Sequence, residues 1–275
     1  MAAVIRPGNL IAVLPARAPG RGFVLPAPLI VARSLLAFCV LWYCASLWVG
    51  NPILLPSPLQ VVDAFANLLA SGEMVKHAVV SIQRLLFSLC MAVLLAVPLG
   101  FLMGLSRIAS DVIDPMVELL RPISGIAWIP LALFIFGIGG ALPIFIMTYA
   151  AFFPLLLNTI AGVRDVDPRL VAAARTMGVR RSAILLHVLA PAAVPTIMVG
   201  LRLAIASGWT AIVAAELIGA DSGVGFAIEW YRELLMTPKV LAFIAVIGMI
   251  GYGADLCIRM LQRRLTPWTA ATEFA

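Results

Sequence analysis

The sequence predicts an all-α polytopic membrane protein with six transmembrane helices, and three observations predict it. Hydrophobic residues make up 63% of the 275 residues, charged residues only 12%, and the mean hydropathy is +1.08. Long uncharged runs recur along the chain. Basic residues gather between some of those runs and are sparse between others. A soluble domain carries about 25% charged residues, so too few are present here to coat a water-exposed surface. A soluble enzyme, a disordered chain and a fibrous one are excluded together.

Residues 1–28 hold Arg6, Arg17 and Arg21 among scattered Pro and Gly, and the apolar run Leu10–Leu14 is too short for a signal-peptide core. This stretch reads as a cytoplasmic tail. Residues 29–275 are then the transmembrane domain, with its core at 78–260. A first span is expected at Val31–Val49, with Arg33 snorkelling at its inner end. Leu85–Leu105 runs 21 residues without a charge, about 31 Å of helix, and forms the second. Between Arg121 and Arg164 no charge occurs for 42 residues, about right for two crossings. The break is expected from Gly137 to Pro143, where Gly and Pro are turn chemistry. Pro122, Gly125 and Pro130 predict that the third span is irregular in its inner half. A fifth span is expected at Ala192–Ala215 and a sixth at Val240–Ile258.

Two segments outside the spans have characters of their own. Ser57-Pro58-Leu59-Gln60 has the residues of a capping box, with Pro at the first helical position. Val61, Val62, Phe65, Leu68 and Leu69 then keep helical spacing, as an amphipathic helix at the outer membrane face would. Ala220–Met236 is expected to be a mixed polar loop. Cys39, Cys44, Cys90 and Cys257 all fall in apolar stretches without metal-ligand spacing, so buried, unbridged thiols are expected.

Charge placement orients the chain. With the N-terminus inside, Arg6, Arg17, Arg21, Arg33, Arg107, Arg121, Arg164, Arg169, Arg175, Arg180, Arg181, Arg202, Arg259, Arg263 and Arg264 lie on the inner side. Lys76, Arg84, Arg232 and Lys239 lie on the outer side. Fifteen against four puts both termini in the cytoplasm. The net charge of +6 is therefore a topological label and not a nucleic-acid footprint.

The inner loop at 163–190 carries the strongest signal. Asp167-Pro168 is a helix start, Arg169–Met177 reads as a short helix, and Gly178 suits a left-handed stop. A second amphipathic piece, Arg180–Leu189, follows, and Pro191 opens the fifth span. Composition alone makes this a basic cytoplasmic loop. Its spacing, however, resembles the "EAA" signature of ATP-binding-cassette (ABC) importer permeases: Glu-Ala-Ala, three residues, Gly, nine residues, Ile-x-Leu-Pro. Ala173, Ala174, Gly178 and Pro191 match, while Ala172, Val188 and Ala190 stand where the signature has Glu, Ile and Leu.

Further fragments are similar to the nitrate/sulfonate/taurine/bicarbonate branch of that family. They include Leu55-Pro56-Ser57-Pro58, Arg121-Pro122, Trp128-Ile129-Pro130, Gly200-Leu201-Arg202 and Ala214-Ala215-Glu216. The run Leu261–Trp268 is similar to taurine permeases in particular. The resemblance covers roughly residues 53–268. It implies a type I ABC importer permease fold in the cell inner membrane, two copies of the permease, separate ABC ATPase subunits and a periplasmic substrate-binding protein. On it, Leu170, Ala173, Ala174, Arg175, Thr176, Gly178 and Val179 belong to a coupling helix that docks in the ATPase. ATP binding falls to the partner, since this chain has no G-x-x-x-x-G-K-[ST] loop.

Arg202, Trp209 and Glu216 recur every seven residues and so share one face of the fifth span. Two readings stand. Either the face lines the substrate pathway, with Arg202 offering a positive charge to an anion, or Arg202 snorkels and Glu216 marks the helix end. Asp255 and Arg259 form an i,i+4 pair of structural character. No Ser/His/Asp arrangement suits a nucleophile, no acidic cluster suits a metal, and no cofactor is implied. The alternative to an importer permease is a self-contained carrier or channel, for which inverted repeats are the expected mark. None is evident.

Overall fold

The computed structural model describes residues 27–267, so the tail expected over 1–28 lies almost wholly outside the described residues, as does Trp268. Eleven α-helices are present among them. They are α1 (Ala27–Val49), α2 (Pro58–Ala70), α3 (Glu73–Leu105), α4 (Arg107–Leu120), α5 (Ile129–Phe136) and α6 (Ala141–Arg164). There follow α7 (Pro168–Thr176), α8 (Arg181–Ile184), α9 (Ala190–Gly219), α10 (Val224–Glu233) and α11 (Thr237–Leu265). A 3₁₀ turn, Gly125–Trp128, leads into α5, and a π-turn, Leu185–Leu189, joins α8 to α9.

Four stretches are long and apolar enough to cross a membrane: α3, α6, α11 and the run Arg181–Gly219. The third expected span is broken. α4 and the segment Gly125–Phe136 qualify only together, and they bend by 80° at the break. Pro122, which cannot donate a backbone hydrogen bond, stands just after Arg121, the residue that caps α4. The expected third span, from Pro122 to Gly137, is thus not a span by itself: it holds only the 3₁₀ turn and the eight-residue α5, and it reaches a membrane-crossing length only together with α4. The turn before α6 is where Gly and Pro placed it: Gly137 ends α5 at φ 69°, and its N–H bonds the Leu133 carbonyl. α1 is apolar and lies against α2, with Trp42 Nε1 donating to the Pro56 carbonyl at 3.1 Å.

α3, α6 and α9 form the centre, packed through Ala92, Ala96, Ala151, Leu155, Leu156 and Ala204. Small residues set the helix spacing. A Cβ added at Gly100 would lie 2.6 Å from Thr159 Cβ, and one at Gly200 would lie 2.5 Å from Asn158 Cβ. Such close approach is how helices associate where hydrocarbon removes the hydrophobic drive.

At the end away from α7, α2, α10 and α11 build a second core around Val61, Leu68, Val224, Ala227, Tyr231 and Phe243. α2 starts as its sequence requires. Ser57 N–H donates to Gln60 Oε1 at 2.9 Å, and Ser57 Oγ accepts from Gln60 N–H at 3.4 Å. The stretch Ala220–Met236 is not the loop expected. Its Gly and acidic residues obscure the spacing of Val224, Ala227, Ile228 and Tyr231, which form the buried face of α10.

The cysteines also depart from expectation: all four are free, as expected, but exposed. They lie on helix faces turned away from the bundle, where an apolar thiol is suited to hydrocarbon.

Candidate functional site

The loop between α6 and α9 is a compact knob. Asp167 Oδ1 accepts from the Arg169 N–H at 2.8 Å, and Pro168 occupies the first turn, so α7 starts where the sequence places it. It stops just as locally. Gly178 takes φ 73°, its N–H donates to the Arg175 carbonyl, and the Val179 N–H donates to the Ala174 carbonyl. This pair of bonds is the Schellman arrangement, which only a residue free to adopt the left-handed region closes without strain.

The knob presents Leu170, Ala173, Arg175, Thr176 and Gly178 on its surface, with Val179 half-buried. Ala174 is buried at 9% exposure, on the face that settles against α8 and the π-turn. Met177, at 77% exposure, is the largest apolar side chain at the tip of α7, and sequence reasoning did not single it out. Arg169, Arg180 and Arg181 are exposed around it. Arg164, also exposed, donates to Ser110 Oγ at 2.7 Å.

The second half of the knob is not a separate piece. α8, the π-turn and α9 make one run of 39 residues, Arg181–Gly219. The widened turn, in which the Ala190 N–H reaches back to the Leu185 carbonyl, precedes Pro191. Pro191 has no N–H to give and its ring would crowd the carbonyl four residues back, so a local π-turn lets the helix continue.

The stripe on α9 keeps its seven-residue register, but it faces α11 and α3. Arg202 Nε donates to Asp255 Oδ1 at 2.7 Å, and Asp255 also takes Arg259 at 2.8 Å. Trp209 Nε1 donates to the Ile247 carbonyl at 3.2 Å. Glu216 is 1% exposed. On this face Trp209 and Glu216 are buried against neighbouring helices, while Arg202 is exposed and has a carboxylate partner. The expected i,i+4 pair of Asp255 and Arg259 is present at 2.8 Å.

Glu216 meets a residue assigned to the outer charge set, Arg84. Its carboxylate accepts from Arg84 Nη1 at 2.9 Å, from Ser81 Oγ at 2.8 Å and from the Gly225 N–H at 3.0 Å. Arg84 also donates to the Ser222 carbonyl and Oγ at 2.6 and 2.9 Å. Ser81 Oγ accepts the Val224 N–H at 2.8 Å. The segment 221–225 is thus clamped onto α3 and α9 at the end away from the knob. Two glycines allow it: a Cβ at Gly223 would sit 2.4 Å from the Glu216 carboxylate, and one at Gly225 2.6 Å from Glu216 Cβ.

A different face of α9 borders an open cleft of about 710 Å³ between the break after α4, α6 and α9. Arg121, Ser124, Tyr149, Asn158, Ser207 and Thr210 are its polar lining. Tyr149 Oη donates to the Leu120 carbonyl at 2.8 Å. Asn158 and Thr210 hydrogen-bond carbonyls of their own helices. The position of Tyr149 and Asn158 on a cleft comes from the packing of α6 beside α9.

Known proteins share this architecture. Residues 96–267 match the family model of the binding-protein-dependent transport system inner membrane component. The taurine transport system permease protein of Escherichia coli is 38% identical over 234 residues, 83% of this chain and 85% of the relative. A putative aliphatic sulfonates transport permease protein of Bacillus subtilis is 32% identical over 92% of this chain and 89% of its own length. Among solved structures, the inward-facing MetNI methionine ABC transporter superposes with a TM-score of 0.57 at 18% identity, covering 68% of this chain and 93% of that one.

Proposed function

The chain belongs to the family of binding-protein-dependent transport system inner membrane components, and from that premise we propose that it moves a small oxyanion inward across the inner membrane. It is a multi-pass transport subunit of an ABC importer and not itself an enzyme. The family implies ATPase subunits and a substrate-binding protein as partners. A sulfonate such as taurine is the first substrate candidate, given the taurine and sulfonate relatives, with nitrate and bicarbonate behind it.

The observation that carries this reading is the continuity of the knob with α9. α7 packs on α8 and the π-turn, and these run without interruption into the helix that borders both the clamp and the cleft. Force applied at Leu170, Ala173, Arg175 and Thr176 by an ATPase passes to α9 as a lever. Ala174, Gly178 and Val179 hold the knob's shape. The working unit contains two copies, with the knob and both termini on the cytoplasmic side.

The test is reconstitution. The chain should co-purify with a separate ATPase, and vesicles holding that complex and its binding protein should take up radiolabelled taurine only with ATP. Uptake by the chain alone, indifferent to nucleotide, would instead establish a carrier. Calorimetry on the cognate binding protein with taurine, nitrate and bicarbonate ranks the substrates.

A further inference from the structure

The basic residue at the break after α4 was assigned to the inner charge set, but the fold carries it away from that end. α4 starts at Arg107, beside the foot of α3, and returns along the bundle, with Val117 packed among Ala92, Ala96 and Phe153. Fourteen residues of helix place Arg121 about 21 Å from that start. The Tyr149 bond to the Leu120 carbonyl fixes the same level on α6, fifteen residues before Arg164. The hydrocarbon core of a bilayer is only about 30 Å thick, so Arg121 lies too far from the inner surface to snorkel to it, and it sits within the span at a level eight residues past the Ala141 start of α6. An arginine at such depth faces water or protein rather than lipid.

Among the described residues Arg121 has no ion pair and no side-chain hydrogen bond, whereas Arg84, Arg164, Arg202, Arg232 and Arg259 all have partners. The carbonyl it follows, Leu120, already accepts from Tyr149. The cleft it lines holds hydroxyls from Ser124, Tyr149, Ser207 and Thr210 and the amide of Asn158, but no carboxylate. One unpaired cation among neutral polar groups, with no acid to compete, is a surface complementary to an anion.

We propose that Arg121 is the anion-binding group of this cleft, a station within the membrane for a sulfonate or similar small oxyanion, with Thr210, Ser207 and Asn158 lining the same cleft. The inference rests on the importer reading for its direction of travel, but its electrostatics can be tested apart from transport. Arg202, the basic residue of α9, is by contrast paired with Asp255, a carboxylate it shares with Arg259.

The test uses the full chain in nanodiscs with Cys39, Cys44, Cys90 and Cys257 replaced by serine and a single Thr210→Cys reporter. Its rate of modification is measured with an anionic sulfonatoethyl methanethiosulfonate and a cationic trimethylammonioethyl analogue. The anionic reagent should react faster. Arg121→Gln should lower the anion-to-cation rate ratio about fivefold or more, and Arg121→Lys should keep it. With Arg121 present, raising salt from about 50 mM to about 500 mM should collapse the ratio, a readout that needs no variant at position 121. A ratio unmoved by both Arg121→Gln and salt, as a carboxylate of a second copy over the cleft would give, overturns the proposal. So does a Thr210→Cys that neither reagent modifies. Failure of the importer reading shows elsewhere, as loss of the ATP requirement for uptake.

Discussion

Arg84 on α3 and Glu216 on α9 form an ion pair at 2.9 Å with side-chain exposures of 8% and 0%. Both ions keep further hydrogen bonds, to Ser81, Ser222 and the Gly225 N–H, so neither is left with unmet polar demand. A buried pair satisfied in this way contributes little net energy relative to apolar residues, but breaking it from one side strands a charge.

Glu216→Leu should therefore destabilise the protein by about 3–5 kcal/mol, read as a lowered Tm in detergent. The double variant Arg84→Met/Glu216→Leu should recover much of that loss. Equal losses in the single and double variants would show that the clamp is held by packing and not by charge.

Gly178→Ala should cost about 1–2 kcal/mol locally, since φ 73° places a Cβ against the following carbonyl. Nothing lies within 4 Å of that added Cβ, so the cost is conformational and not steric. Affinity for the ATPase subunit, measured by co-purification, should fall while the Tm of the transmembrane bundle stays put. Ala173→Trp, at an exposed position, should weaken the same association through steric block.

Gly200→Leu should disrupt the bundle where Gly178→Ala does not. Its Cβ would meet Asn158 Cβ at 2.5 Å, so α9 and α6 must separate. Thermal unfolding should show loss of several degrees or failure to purify as a monodisperse species. An unchanged Tm would contradict the close approach of α6 and α9.

Tyr231 gives an alkaline signature. It is buried, its hydroxyl donates to Glu73 Oε1 at 2.7 Å, and burial followed by that bond pushes its pKa up to about 12. The unfolded phenol titrates near ~10. The folded state thus favours the neutral phenol, and its stabilisation is complete below pH ~10 and lost as pH rises from there toward about 12. Tyr231→Phe should lose Tm at pH 8 but show a shallower decline between pH ~9 and ~11. Parallel declines would show that the Tyr231 pKa is the same in the folded and unfolded states.

Local chemistry was legible in the sequence because local chemistry is short-range. The Ser57 capping box, the Asp167 start and Gly178 stop of α7, and the turn at Gly137 each depend on a few adjacent residues, and each is found where it was expected. Composition and charge determined the polytopic helical class in the same way, since both are sums over residues. What each helix faces was not legible. The period of α9 correctly grouped Arg202, Trp209 and Glu216, but periodicity says only that residues share a face and not what stands opposite. Helix rotation is set by side chains far away in sequence: Glu216 meets Arg84 across 132 positions, and Arg202 meets Asp255 across 53. Only the tertiary structure decided that these charges pair with one another, and that Arg121, carried away from the inner end by the return of α4, lines the cleft with no ion-pair partner among the described residues.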